Sequence, residues 1–292
     1  MRLIPLMPRA ALLPLLLCVA ACATAPKPKP EGGSAPAVEV VAPNLAATAW
    51  MQASQEYRGA VRGTFAAAAR QLETALAQPD WDALPPSERV GLPMQGLPAA
   101  VIVDADETMI DNSPYQARNI RDERGYSLPS WQAWVAESKA RALPGALDFA
   151  RHAERLGVTV FFVTNRAHDP ERAPTVANLR ALGFPVREDG SNVILQGDPR
   201  APGEDKGTRR RWVGERYRVL LMLGDNLGDF IDGSRADHPS RNALIAPYES
   251  WWGERWFMLP NPSYGSWESA IRRACDRSIP PARCMRDGLR HD

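Results

Sequence analysis

Asp104 and Asp106 stand one residue apart, directly after the apolar run Val101-Ile102-Val103. Three β-branched residues in succession read as a buried strand. Side chains alternate along an extended chain, so both carboxylates start out aimed at the same side. Held that close, they repel unless a cation lies between them or one keeps a proton. Three later stretches carry complementary groups. Thr164 follows the apolar run 158–163, Lys206 sits in the polar stretch 198–207, and Asp225 and Asp229 follow the apolar run 219–223. This set matches the needs of phosphoryl transfer from a monoester. A carboxylate can attack phosphorus, and a second carboxyl can protonate the leaving oxygen and later activate water. A hydroxyl, an ammonium and a divalent cation can meet the charge on the transferring group. Mg²⁺ takes oxygen ligands and keeps several waters, so two or three carboxylates suffice to hold it.

The intervening pattern predicts the elements that position these groups. Strands are expected over 99–104, 158–163, 192–196 and 218–223, with helices between them: 116–142, 145–156, 175–182 and 209–215. Alternating strands and helices predict an α/β fold, a parallel sheet flanked by helices. Polar residues at the C-terminal strand ends fall where such sheets bind ligands. Upstream, Trp50, Tyr57, Val61, Phe65 and Leu72 recur near helical spacing, which predicts a long helix or a helix pair over 45–77. Trp251, Trp252, Trp256 and Phe257 read as core or dimer packing.

Of the 292 residues, 45% are hydrophobic and 24% charged, which allows one substantial core with additions or two modest domains. The 35 basic and 34 acidic residues nearly balance and form no basic stripe, so nucleic acid is not an expected partner. Arg2 and Arg9 precede a short apolar run that closes on Val19-Ala20-Ala21-Cys22. That pattern reads as a secretory signal and resembles the lipobox of bacterial lipoproteins. The resemblance implies cleavage after residue 21 and a lipid (palmitate among its chains) on Cys22. Ala23 after the cysteine implies the outer membrane, the face being left open. Residues 22–44 are rich in Pro and Ala and read as a flexible tether. Cys275 and Cys284 remain in the tail; in an oxidising compartment such a pair is expected to close a disulfide, with two free thiols as the alternative. His152, His168, His238 and His291 have no zinc-like spacing with these cysteines.

Taken in order, Asp104-Ala105-Asp106-Glu107-Thr108, Asp111-Asn112-Ser113-Pro114-Tyr115, Phe161-Phe162-Val163-Thr164-Asn165-Arg166, Lys206, and Gly224-Asp225-Asn226-Leu227-Gly228-Asp229-Phe230 resemble the motifs of the class C (lipoprotein e type) bacterial acid phosphatases and 5′-nucleotidases, within the haloacid dehalogenase (HAD) superfamily. The resemblance covers roughly 50–267. It implies a Rossmann-like core over 97–115 and 143–267, a smaller helical cap built from 45–96 and 116–142, and a C-terminal tail over 268–292. By the same resemblance Asp104 is the nucleophile and a Mg²⁺ ligand, and Asp106 is the general acid and base, with its backbone carbonyl on the metal. Thr164 and Lys206 hold the phosphoryl oxygens, Asp225 ligates Mg²⁺, and Asp229 positions a metal-bound water or Lys206. Trp131 and Tyr264 would hold a nucleobase between their rings, and Asn165 and Arg166 are expected on the substrate side. Trp134 is expected in the core, and Ala105 is expected to point away from the site. The implied activity is hydrolysis of nucleoside 5′-monophosphates, nicotinamide mononucleotide included, and a homodimer is implied by the family alone. Two other readings stay open: a surface lipoprotein with a mainly binding role and a vestigial site, and a different chemistry of the same superfamily.

Overall fold

A computed structural model describes residues 44–276 and 278–289. The signal segment, Cys22 and nearly all of the tether lie outside the described residues. Along the chain run α1 (Leu45–Ala53), α2 (Gln55–Leu76), α3 (Pro86–Arg89), β1 (Ala99–Val103), β2 (Ile110–Asp111), α4 (Ser113–Arg121), α5 (Leu128–Ala136), β3 (Arg141–Ala142), α6 (Ala146–Arg155) and β4 (Thr159–Ala167). They are followed by α7 (His168–Ala181), β5 (Val193–Gln196), α8 (Gly207–Gly214), β6 (Arg218–Gly224), α9 (His238–Ile245), β7 (Trp256–Met258), α10 (Ser266–Arg273) and α11 (Pro281–Asp287).

Five strands form one parallel sheet in the order β5-β4-β1-β6-β7. Both faces are covered, which explains why the central strands are apolar without interruption. Val101 and Val103 of β1, Val160 and Phe162 of β4, and Leu221 and Leu223 of β6 face one layer with Phe65, Leu72, Phe149 and Leu179. Ala100, Ile102, Phe161, Val163 and Met222 face the other, with Leu84, Val213, Phe230 and Trp256. Fully burying one such large side chain contributes roughly 1.5–3 kcal/mol. Trp256 is completely buried in an aromatic cluster with Phe230, Tyr248, Trp251 and Trp252, and its Nε1 donates to Ala83 O at 2.8 Å. Trp256 and Phe257 are therefore core, with Trp251 and Trp252 half-buried against it, and Trp256-Phe257-Met258 adds an edge strand that its three-residue length hid.

The upstream helix divides at Ser54, whose extended backbone and side-chain bond to the Tyr57 amide start α2. Tyr57, Val61, Phe65 and Leu72 are buried on one side of α2, and Gly59 and Gly63 lie on its exposed side. Through those residues α2 forms a layer over the sheet, in contact with α6 and β6, whereas α1 packs on α4. The stretch 45–96 is thus split between the sheet layer and the helices beside the site. The insertion after β1 is a helix pair, α4 and α5, whose ends are tied by the antiparallel pairing of β2 with β3. The segment 111–115, with its Asp, Asn and Pro, leads from β2 into the start of α4. Asn112 occupies the N-cap position without bonding the helix, because its side chain is used elsewhere. A disulfide joins Cys275 and Cys284, with their Cα atoms 6.0 Å apart. Among the described residues no helix is long and apolar enough to cross a membrane.

Candidate active site

The site gathers at the C-terminal ends of β1, β4 and β6. Val103 lies beside Phe162 in β4 and beside Leu223 in β6, so residues just past those positions meet around the end of β1. Asp104 extends the ladder by one bond, its amide donating to Leu223 O at 2.9 Å. Gly224 closes β6, and a Cβ there would lie 2.3 Å from the Asp229 carboxylate, so only glycine lets Asp229 fold back onto the strand end. Lys206 lies at the N-cap of α8. The next residue, Gly207, is pressed against Asp232, where a Cβ would lie 2.0 Å from a carboxylate oxygen.

Lys206 is 4% exposed, and its ammonium binds the Asp104 carboxylate and, at 2.7 Å, Asp229 Oδ1. The other Asp229 oxygen accepts from the Asn226 amide at 2.8 Å. Asp225 accepts from Asn261 Nδ2 at 2.8 Å and from Thr108 Oγ1 at 3.3 Å. Asp104, Asp225 and Asp229 each offer an oxygen within 4.8 Å of the others. An all-oxygen set of that span suits a hard divalent cation. The charge balance points the same way. Burial, then the neighbouring Asp229 and Asp104 carboxylates, hold Asp225 well above the usual aspartate range. Burial likewise raises Asp104 to about 7; Lys206 opposes the shift, and Asp229 and Asp106 add to it. A cation would relieve this crowding.

These shifts have a consequence for stability. The native state keeps a proton on Asp104 up to about pH 7, while an unfolded aspartate releases it near 3.8. The native state therefore binds more protons between those values, and stability falls as pH rises through that window. Asp225 shifts in the same direction. The metal-stripped protein is thus expected to melt at lower temperature near neutrality than in mild acid, and added Mg²⁺ should remove most of that slope. Thermal melting across the window, with and without the ion, checks this; a metal-stripped protein that gains stability with pH would refute it.

Asp106 stands apart from the three-carboxylate cluster. Arg166 donates to its Oδ1 from Nε at 3.0 Å and Nη2 at 2.8 Å, and Asn112 Nδ2 donates to the same oxygen at 2.7 Å. The Thr164 hydroxyl lies 3.4 Å from Oδ2. Arg166, expected on the substrate side, is instead buried: it is 2% exposed and also reaches Thr175 Oγ1 and Asn112 Oδ1. Asn165 is exposed, and its Oδ1 accepts from Arg209 at 2.7 Å. Trp134 is core, with Nε1 donating to Asn112 Oδ1 at 2.8 Å. Trp131 is half-buried; Tyr115 meets its ring edge-on at 5.3 Å, and the Arg166 guanidinium lies 5.4 Å from the ring centroid. The Tyr264 hydroxyl donates to Glu107 Oε2. Ala105 is buried in the core, away from the site.

Several members of this site went unread in the sequence. Glu107 is fully buried with φ +55°, and its two oxygens join the Asn112 amide to Tyr264. Asn261 orients Asp225, and Arg209 backs Thr164. Glu107 and Asn112 lie inside motif segments, but nothing in their spacing announces partners such as Tyr264 and Trp134, which are far along the chain.

Residues 35–267 match the family described as HAD superfamily, subfamily IIIB (Acid phosphatase). The chain belongs to this family. Its structure is similar to that of the class C acid phosphatase from Bacillus anthracis, with 28% identity, a TM-score of 0.71, and coverage of 85% of this chain and 97% of that one; the same protein has also been solved with tungstate bound. Acid phosphatase 1 of Solanum lycopersicum is 29% identical over 167 residues, and the stem 28 kDa glycoprotein of Glycine max is 25% identical over 169. The chain spans about 57% and 58% of the length of these two relatives, and 56% of its own length is matched in each. Membership in a family of acid phosphatases fits a parallel sheet whose strand ends carry this carboxylate and lysine cluster.

Proposed function

We propose that this protein is a Mg²⁺-dependent acid phosphatase that hydrolyses phosphomonoesters through an aspartyl-phosphate intermediate. Nucleoside 5′-monophosphates, including nicotinamide mononucleotide, are its substrates in this reading. The observation that carries it is the buried Lys206 shared by Asp104 and Asp229, beside an Asp225 oxygen within 4.8 Å of an oxygen of each. Asp104, Asp225 and the Asp106 backbone carbonyl would hold the ion. When bound, Mg²⁺ would supply charge neutralisation for the phosphoryl oxygens and for the crowded carboxylates.

The chain's own groups divide the remaining work. The Asp104 carboxylate attacks phosphorus, and the bond from phosphorus to the leaving oxygen breaks. Asp106, held by Arg166 and Asn112, gives its proton to that oxygen. The Thr164 hydroxyl and the Lys206 ammonium hold phosphoryl oxygens. Water then attacks the phosphoaspartate, Asp106 takes the proton, and inorganic phosphate leaves while Asp104 is regenerated. Because the first step needs Asp106 protonated, the reading implies an acid optimum.

Trp131 and Tyr264 would hold the base of a nucleotide. Both rings are half-buried and keep accessible surface, and stacking contributes roughly 1–3 kcal/mol per base with little base discrimination. Trp131→Ala and Tyr264→Ala should each lower kcat/KM for a nucleoside monophosphate by about 5- to 100-fold. For a small aryl phosphate the loss should be much smaller. Equal losses on the two substrates would sink the nucleotide assignment. The alternative, a binding lipoprotein with a vestigial site, predicts no phosphate release from any ester.

The lipobox-like segment supports a location at the outer membrane on a lipidated Cys22 in this reading, and dephosphorylation there would give a nucleoside able to cross the inner membrane. Cys22→Ser should abolish incorporation of labelled palmitate and release the protein from the membrane fraction. Unchanged labelling would overturn the anchor. Association as a homodimer rests on the family alone and is read by light scattering.

A further inference from the structure

Two buried arginines follow Lys206 in α8, and they are used differently. Arg210 is paired with carboxylates: it bonds Glu88 Oε2 at 2.8 Å and Asp232 Oδ1 at 2.9 Å, as well as Gly228 O at 2.8 Å. Arg209 is equally buried but meets only neutral oxygens. Its Nη1 donates to the Thr164 carbonyl. Its Nη2 donates to Asn165 Oδ1 at 2.7 Å and to the Glu204 carbonyl at 3.1 Å. Its Nε has no partner, and no ion pair involves it among the described residues. Burial, and the like charge of Arg210 beside it, lower its pKa to about 10 against the opposing pull of the Asp104, Asp229 and Asp232 carboxylates nearby, so it remains a cation at neutral pH. A buried guanidinium that makes no direct ion pair is costly. Its acceptors say what the cost secures: they lie on the strand end that carries Thr164 and on the segment two residues before Lys206.

We infer that Arg209 is a positioning residue that fixes the distance between the Thr164 hydroxyl and the Lys206 ammonium, the two groups assigned to the phosphoryl oxygens. The inference rests on that assignment. Three acceptors from two segments converge on one planar fork, and lysine, a point charge on a flexible stem, cannot reproduce the arrangement. A displacement of about 1 Å at a reacting centre can cost about 10²-fold in rate.

The test uses Arg209→Ala and Arg209→Lys in the full chain, with Lys206→Ala and Asp104→Asn as references. For a small aryl phosphate at saturating Mg²⁺, both Arg209 variants should lose about 10²-fold in kcat, with inhibition by inorganic phosphate weakened in parallel. Mg²⁺ affinity by calorimetry should stay at the wild-type value, because Asp104 and Asp225 are not touched. Millimolar guanidinium chloride should restore much of the Arg209→Ala activity by refilling the vacated fork, and should do nothing for Lys206→Ala. Wild-type kcat in Arg209→Ala would overturn the inference. So would loss of the circular dichroism signal in both variants without guanidinium rescue, since Arg209 would then be a folding residue only. Asp104→Asn separates this from the parent reading: if that variant is dead while Arg209→Ala is fully active, only the role of Arg209 fails.

Discussion

Asp104→Asn should release no measurable phosphate, a loss of about 10⁴-fold or more, while the protein still folds. The amide has nearly the shape of the carboxylate but cannot attack phosphorus. Lys206 keeps Asp229 as its partner, so the substitution does not leave the ammonium unpaired. It also removes one of three crowded carboxylates, so the metal-stripped variant should melt no lower than the wild type by more than a few degrees. Two measurements check this together: phosphate release with Mg²⁺ and thermal melting without it. A variant that keeps most of its turnover would remove Asp104 from the chemistry. A variant that unfolds would show that the Asp104–Lys206 pair is chiefly structural.

Lys206→Met should have the second largest effect, and it should act on stability as well as rate. The ammonium is buried and pairs with Asp104 and Asp229 at once. Burial works against its charge, yet the two carboxylates outweigh burial and raise its pKa. Methionine fills similar volume but leaves two buried carboxylates facing each other. Breaking a buried pair on one side costs about 3–5 kcal/mol. At about 2–4 °C per kcal/mol, that is a fall of roughly 10 °C in the melting temperature of the metal-stripped protein. Turnover should fall by about 10²–10³-fold, the usual cost of losing one donor to the developing charge. Because a divalent cation can take over part of the neutralisation, Mg²⁺ should recover stability in this variant more than it recovers rate. Recovery of both to wild-type levels would contradict a direct part for Lys206 in holding phosphoryl oxygens.

The frame of the molecule was readable because its signals are local. An uninterrupted run such as Val101-Ile102-Val103 implies a strand covered on both faces, and both layers are there. Asp104, Thr164 and Asp225 could be placed together because each ends such a run, and parallel strands bring those ends to one edge. What stayed hidden depends on contacts between distant residues. Arg166 lay in a motif and was expected to face the substrate. It turns inward because Asp106, 60 residues earlier, accepts its guanidinium. The part played by Glu107 needs the positive φ that follows Asp106 and the approach of Tyr264 from 157 residues away. Arg209 falls in the helix expected over 209–215, and nothing in a run of three arginines says which of them is buried without a direct ion pair. The edge strand Trp256–Met258 is too short to show a period, and only its pairing with β6 reveals it.

The most direct test of the account is phosphate release by the purified chain from a nucleoside 5′-monophosphate, measured with Mg²⁺, after EDTA, and after Mg²⁺ is restored, beside Asp104→Asn under the same conditions. The account predicts turnover with the ion, none in EDTA, full recovery on restoration, and none in the variant throughout. Equal turnover in EDTA, or turnover in Asp104→Asn comparable to the wild type, would contradict it.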